Sequence, residues 1–285
     1  MLGQVVSGEV YQTWKREVLI LDEEGNELYL PIANQIQSDK THRGDEFRKG
    51  DIVRAVVVQV DNKNQNPKII LSRTSPLFLQ RLFEQEVPEV KDGIIAIKNI
   101  ARIPGKRAKV AVESFDDRID PVGACVGIKG ARIHGIVREL RNENIDVIPF
   151  SNNINLYIQR ALAPAKISSM NVNEEAKTAE VYLKPEEVSL AIGKDGYNIR
   201  LAGMLTGYQI DVYREMEDAD VEDIYLDEFN DEIDQWVIDV LKNIGLDTAR
   251  AVLAKSKEEL LQQTDLEEET VDEVLRVLKA EFENE

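Results

Sequence analysis

Two short runs in the chain, Gly127-Ile128-Lys129-Gly130 and Gly193-Lys194-Asp195-Gly196, carry the residue types needed to hold a phosphate against a backbone. Glycine has no Cβ, so a nucleic-acid backbone can come close, and a helix that starts after the loop offers free N–H groups at its positive end. Lys129 and Lys194 add charge, Arg132 and Arg200 emerge about a turn later on the same side, and Ile128 and Asn198 complete the two candidate surfaces. Asp195 opposes a phosphate, which makes the second loop the weaker candidate.

With 16 Gly in 285 residues, roughly one Gly-x-x-Gly is expected by chance, so the surroundings carry the signal. Apolar residues precede the first Gly of each run, and Ile133 and Ile199 each follow the second Gly by three. Ile145-Asp146-Val147 and Ile210-Asp211-Val212 then recur at an offset of 65, against 66 for the loops, so one deletion separates two parallel blocks. A duplication is the direct reading.

The elements that must position these loops follow from periodicity. After Pro76 an amphipathic helix over 77–83 leads to strands at 93–100 and 109–112, a helix at 121–126, the loop, a helix at 131–140 and a strand at 145–148. The second block repeats the order over 154–162, 165–172, 179–183, 185–192, 197–205 and 208–213. This is the αββααβ order of a type II KH domain, a fold that grips single-stranded RNA through its Gly-x-x-Gly loop, with bases over an apolar groove beside it. The short Ala163-Pro164-Ala165 connection predicts that the two modules pack as one body. Arg102, Lys106 and Arg107 read as basic side chains on a solvated hairpin tip, with RNA contact as the alternative to solvent.

Residues 1–75 alternate apolar and polar positions in five short runs, 5–11, 18–21, 28–31, 52–60 and 68–72, separated by turns at Glu24-Gly25-Asn26 and Lys49-Gly50-Asp51 and by a polar connection over 62–67. A five-stranded OB barrel is expected. Tyr11, Trp14, Lys15, Arg16, His42, Arg54 and Arg73 mix rings and cations as RNA-binding barrels do, although Tyr11 and Trp14 fit a core equally well.

The net charge of −18 is not spread along the chain. Residues 1–214 hold 29 Lys and Arg against 29 Asp and Glu, whereas residues 215–285 hold 6 against 24. Residues 91–142, around the first loop, carry 11 basic and 6 acidic groups, which suits phosphate contact. The acidic tail reads as short helices, placed by capping boxes at Ser256/Glu259 and Thr270/Glu273 and by a helix-hairpin-helix turn at Ile244-Gly245-Leu246. The domain boundaries expected are 1–75, 76–151, 152–214 and 215–285.

At 43% hydrophobic and 31% charged, the composition is that of a globular protein, with no stretch approaching a membrane span and no signal-peptide pattern at the N-terminus, so a cytoplasmic location is expected. Cys125 is the one cysteine and reads as a small buried helix residue; with only His42 and His134 besides, neither a metal constellation nor a nucleophile and base pair can be assembled. Neither a cofactor nor a catalytic group is expected.

The run from Arg118 to Ile133, the segment from Arg102 to Ala111 and the segment from Ala163 to Ala202 closely resemble the bacterial NusA family of transcription factors, and the barrel is similar to that family's S1-like domain. The likeness covers about three quarters of the chain. It implies a monomeric, non-enzymatic factor that joins RNA polymerase and other Nus factors, contacts the nascent transcript, and modulates pausing, termination and antitermination. Family members carry a polymerase-binding domain before the barrel, and this sequence begins within the barrel, so it reads as a fragment. The tail resembles more weakly the helical repeats of some members, and its charge suggests a protein-binding module or one that covers the basic KH face. Two other readings are weighed. An RNA-processing enzyme would need a nucleotide loop or a phosphorolytic core that the sequence lacks, and an acidic interaction scaffold would carry KH folds that no longer bind RNA.

Overall fold

The computed structural model describes residues 1–36, 47–61, 67–215 and 224–283, with 281–283 as backbone only. His42, most of the 62–67 connection and the acidic run 217–223 lie outside the described residues. Two compact units are present, Met1–Glu215 and Met216–Glu285.

The alternating runs at the start form β1 (Val5–Thr13), β2 (Glu17–Leu21), β3 (Glu27–Pro31), β4 (Ile52–Asp61) and β5 (Lys68–Ser72). They close into a barrel in the order β1-β2-β3-β5-β4, with β3 and β5 parallel. Inward positions such as Val10, Ile20, Leu28, Leu30, Val57 and Leu71 are buried, as a half-wetted sheet with period two requires.

Ser75 caps the next helix by accepting a hydrogen bond from Leu77 N, and Pro76 sits at its first position, where a missing N–H costs nothing. This is α1 (Pro76–Glu86), followed by the single turn α2 (Pro88–Lys91), β6 (Ile95–Ile103), β7 (Arg107–Ser114), α3 (Pro121–Val126), α4 (Ala131–Glu139) and β8 (Asn144–Pro149). The second module repeats the plan with α5 (Ile154–Ala161), β9 (Ser169–Asn173), β10 (Thr178–Leu183), α6 (Pro185–Ile192), α7 (Tyr197–Thr206) and β11 (Gln209–Arg214). Each sheet is three-stranded with its middle strand antiparallel to the first and parallel to the last. The paired Ile-Asp-Val runs occupy matching registers, Ala108 opposite Ile145 and Ala179 opposite Ile210.

Contacts continue from module to module within this unit. Barrel residues Ile36 and Val56 belong to the apolar cluster built on Phe78, Leu82 and Phe83 of α1. Ala101, Ala111 and Ile148 on the first KH sheet belong to the cluster built on α5 and α7 of the second, and Asn99 Nδ2 donates to Tyr157 Oη and Leu205 O across the same boundary. The middle strand β7 is therefore buried on both faces from Ala108 to Val112. Lys109 lies in that strand, fully buried, with its ammonium 3.0 Å from Asp146. Burial pushes its pKa down, against the opposing pull of Asp146.

The polar junction between barrel and first KH module is also buried. Arg102 forms a two-pronged pair with Glu143, Nε to Oε1 at 2.7 Å and Nη2 to Oε2 at 3.0 Å, and donates from Nη1 to Arg73 O and Ser75 O. Gly105 N donates to the same carboxylate at 2.7 Å. Arg73 in turn donates to Arg54 O, Glu139 Oε1 and Glu139 O.

The tail folds as the turn Leu226–Phe229, then α8 (Gln235–Asn243), α9 (Ala249–Leu253), α10 (Lys257–Gln263) and α11 (Glu268–Glu283), around Leu226, Val237, Ile238, Leu241, Val252 and Leu278. The capping box at Ser256 and Glu259 is present. The one expected at Thr270 and Glu273 does not begin a helix, because α11 already starts at Glu268 and Thr270 N donates to Glu267 O. Among the described residues no helix is long and apolar enough to cross a membrane.

Candidate nucleic-acid interface

The two Gly-x-x-Gly loops have the same backbone shape. Gly127 and Gly193 take φ 76° and 73° with ψ 169° and 174°, and Gly130 and Gly196 take φ 77° and 70° with ψ 13°. At the third position Lys129 and Asp195 share φ 54°, so a left-handed residue stands at three of the four positions of each loop. Each loop joins the end of one helix, α3 or α6, to the start of another, α4 or α7, and neither α4 nor α7 has a side-chain cap. Neither helix start is thus closed by a side chain, although the amides of Gly130, Ala131, Gly196 and Tyr197 already donate within the loops, to Gly127 O, Ile128 O, Gly193 O and Lys194 O.

The loops differ in what they present. Ile128 is 87% exposed and Lys129 is exposed; in the second loop their counterparts are Lys194 and Asp195, both exposed. The lysines therefore stand at different positions of the two loops, one residue apart in the alignment of the repeats.

Arg132 and Asn198, expected on the binding face, do something else. They are equivalent positions of the duplication, five residues after each first Gly, and both turn back onto the preceding helix. Arg132 Nη1 donates to Ala124 O at 2.7 Å and pairs with Glu89 at 2.9 Å. Asn198 Nδ2 lies 3.2 Å from Leu190 O, the counterpart of Ala124 O, and 3.1 Å from Ala191 O and Leu162 O. Asn198 is 0% exposed and cannot meet a strand of RNA. Arg132 stays half-buried with its charge paired. Both residues fix the angle between the helices that flank the loop, and both require glycine at its first position. A Cβ on Gly127 would stand 2.8 Å from Arg132 Cγ, and one on Gly193 would stand 2.7 Å from Asn198 Cβ.

Removing the amide of Asn198 leaves its three carbonyl acceptors without that donor in a dry environment. The buried Oδ1 has no partner of its own, which offsets part of the gain. Asn198→Ala is expected to cost about 1–2 kcal/mol, read from a urea denaturation midpoint, and to weaken RNA binding only through the second loop.

Three further expectations are corrected. Arg102 is not on a hairpin tip, because β6 runs on to Ile103 and carries it into the buried pair with Glu143. Arg73 is 4% exposed and belongs to the junction. Arg107 is half-buried, with Nε and Nη2 on Asp146 at 2.8 and 2.7 Å. Lys106 remains at the half-exposed turn. Arg200 is exposed on α7. In the barrel, Tyr11 and Trp14 are exposed rather than core, with Lys49 Nζ 5.2 Å from the Tyr11 ring centroid and Lys15 and Arg16 exposed nearby in sequence. Arg54 is half-exposed, bonded to Gln85 and 3.7 Å from Glu139. Cys125 is buried, and burial pushes its thiol up to about 12, so it acts as a small apolar group.

Comparison with known proteins decides between family readings. Residues 1–73 match the S1 RNA binding domain, 73–150 the NusA-like first KH domain and 154–220 the NusA-like second KH domain. A protein of Halalkalibacterium halodurans named transcription termination/antitermination protein NusA is 43% identical over 191 residues, covering 67% of this chain and 48% of that protein. Proteins of the same name from Thermus thermophilus and Bacillus subtilis are 39% identical over 222 residues and 40% over 191, covering 78% and 67% of this chain. The chain belongs to the NusA family.

It spans about half the length of the curated NusA relatives it matches, 48%, 55% and 50% of the three named. Its S1 barrel and paired KH modules are the RNA-binding domain types of NusA. What sequence reasoning missed in the NusA portion is Glu89, which anchors Arg132 from α2, and His134, whose ring packs against Gly130. Pro88 at the start of α2 was the available signal for the former.

Proposed function

We propose that this chain is the transcript-contacting part of a termination and antitermination factor. The observation that carries this reading is the pair of loops of matching backbone geometry, each opening onto an uncapped helix N-terminus. Phosphates of single-stranded RNA approach the glycines and the first-turn N–H groups, Lys129 and Lys194 supply charge, and bases lie over the neighbouring apolar surface. Arg200, Lys106 and the exposed Tyr11 and Trp14 extend the path, the rings by stacking. The family relation supports association with RNA polymerase and other Nus factors, a non-enzymatic role in pausing, termination and antitermination, a place in the cytoplasm and a monomeric state. The acidic scaffold with silent KH folds is less favoured, since all four loop glycines hold the geometry a phosphate needs.

Fluorescence anisotropy of a labelled single-stranded RNA against the chain tests this reading, with saturable, salt-sensitive binding expected and an unchanged signal contradicting it. The negative charge of the acidic tail opposes a polyanion. Removal of residues 215–285, which carry 24 acidic and 6 basic groups, is therefore expected to tighten binding, and unchanged affinity and salt slope would show that the tail's charge does not act on RNA capture.

A further inference from the structure

The cations of the acidic unit are not spread evenly. Of the six Lys and Arg in residues 215–285, four, namely Lys255, Lys257, Arg276 and Lys279, line one groove of about 660 Å³ between the turn from α9 to α10 and helix α11. Half-buried Leu253 and Leu275 form apolar parts of its wall. Lys257 is held within the unit by Asp272 at 2.7 Å and Glu268 at 2.9 Å, and Arg276 reaches Glu273 at 3.4 Å while staying exposed.

We propose that this groove docks a short amphipathic helix of a partner protein that carries carboxylates beside leucine-like side chains. Charge complementarity selects an acidic segment, and the leucines of the wall select an apolar stripe next to it, as when other amphipathic helices settle into grooves. Nucleic acid fits less well. Among the described residues no aromatic ring lines the groove to stack a base, and a polyanion continuing beyond it would meet the field of the remaining carboxylates. A short helix confines its charge to the groove.

The test uses the full chain and a fluorescein-labelled helical peptide of about four turns, with Leu at i, i+3, i+4 and i+7 and Glu between them. Control probes are the same peptide with Ser for Leu and a labelled single-stranded RNA. Salt-sensitive binding of the leucine peptide is expected, weakened roughly tenfold in Lys255→Glu/Arg276→Glu/Lys279→Glu. The serine peptide should bind more weakly than the leucine peptide, and Leu275→Ser should narrow that difference. Circular dichroism checks the fold, and Lys255→Gln/Arg276→Gln/Lys279→Gln, which introduces no new charge, should give a smaller loss in the same direction. Absence of peptide binding, equal binding by wild type and the glutamine variant, or loss of RNA in place of peptide would each overturn the proposal.

Discussion

Glu143→Ala is expected to destabilise the Met1–Glu215 unit by about 3–5 kcal/mol, the largest effect of a single substitution outside the apolar cores. The side chains of Arg102 and Glu143 are 1% and 0% exposed, so losing the carboxylate leaves a guanidinium with no counter-ion where water cannot reach it. Gly105 N loses its acceptor at the same time. The destabilisation should appear as a lower urea midpoint with an unchanged slope. Arg102→Met/Glu143→Met removes both charges and is expected to recover part of the stability. Full recovery is not expected, because Gly105 N loses its Glu143 acceptor and Arg73 O and Ser75 O each lose the Arg102 donor. A single substitution costing under about 1 kcal/mol would show that the pair is solvated in solution.

The second large effect concerns RNA. Ile128→Asp/Lys129→Asp combined with Lys194→Asp removes two cations and adds three carboxylates at exposed positions of the two loops. The fold should tolerate it. Ile128 buries little of its side chain, and the left-handed backbone at position 129 accepts aspartate, since Asp195 adopts the same φ of 54° in the second loop. With charge-assisted hydrogen bonds worth about 1.5–3 kcal/mol each, removal of two predicts a fall in affinity on the order of a hundredfold or more. The log–log salt slope should become shallower by about 0.7 for each phosphate that the protein no longer neutralises. Anisotropy titrations at several salt concentrations, with circular dichroism as the folding control, read both quantities. Equal binding by both proteins would move the RNA to the barrel, where Tyr11 and Trp14 are exposed.

The sequence disclosed what depends on local pattern and on repetition. The duplication was legible because glycine spacing and the Ile-Asp-Val runs recur, and the closed barrel because short alternating runs and turn residues fix strands locally. Roles that depend on a partner distant in the chain were not legible. Arg102 looks like a hairpin-tip cation until Glu143, 41 residues on, is brought beside it. Arg132 and Asn198 look like binding residues because they follow glycine loops, and only the packing of the next helix against the last turn of the previous one turns them inward. Thr270 and Glu273 have the spacing of a capping box, yet α11 extends three residues further back than that pattern indicates. In each case composition gave the right chemistry, and tertiary packing gave it a different use.

The most direct test of RNA capture by the loops is a backbone amide NMR titration of the chain with a short single-stranded RNA. The largest shifts are expected at the amides of 128–131 and 194–197, in the glycine loops and at the starts of α4 and α7. Shifts confined to the barrel around Tyr11 and Trp14, with both loops unmoved, would contradict it.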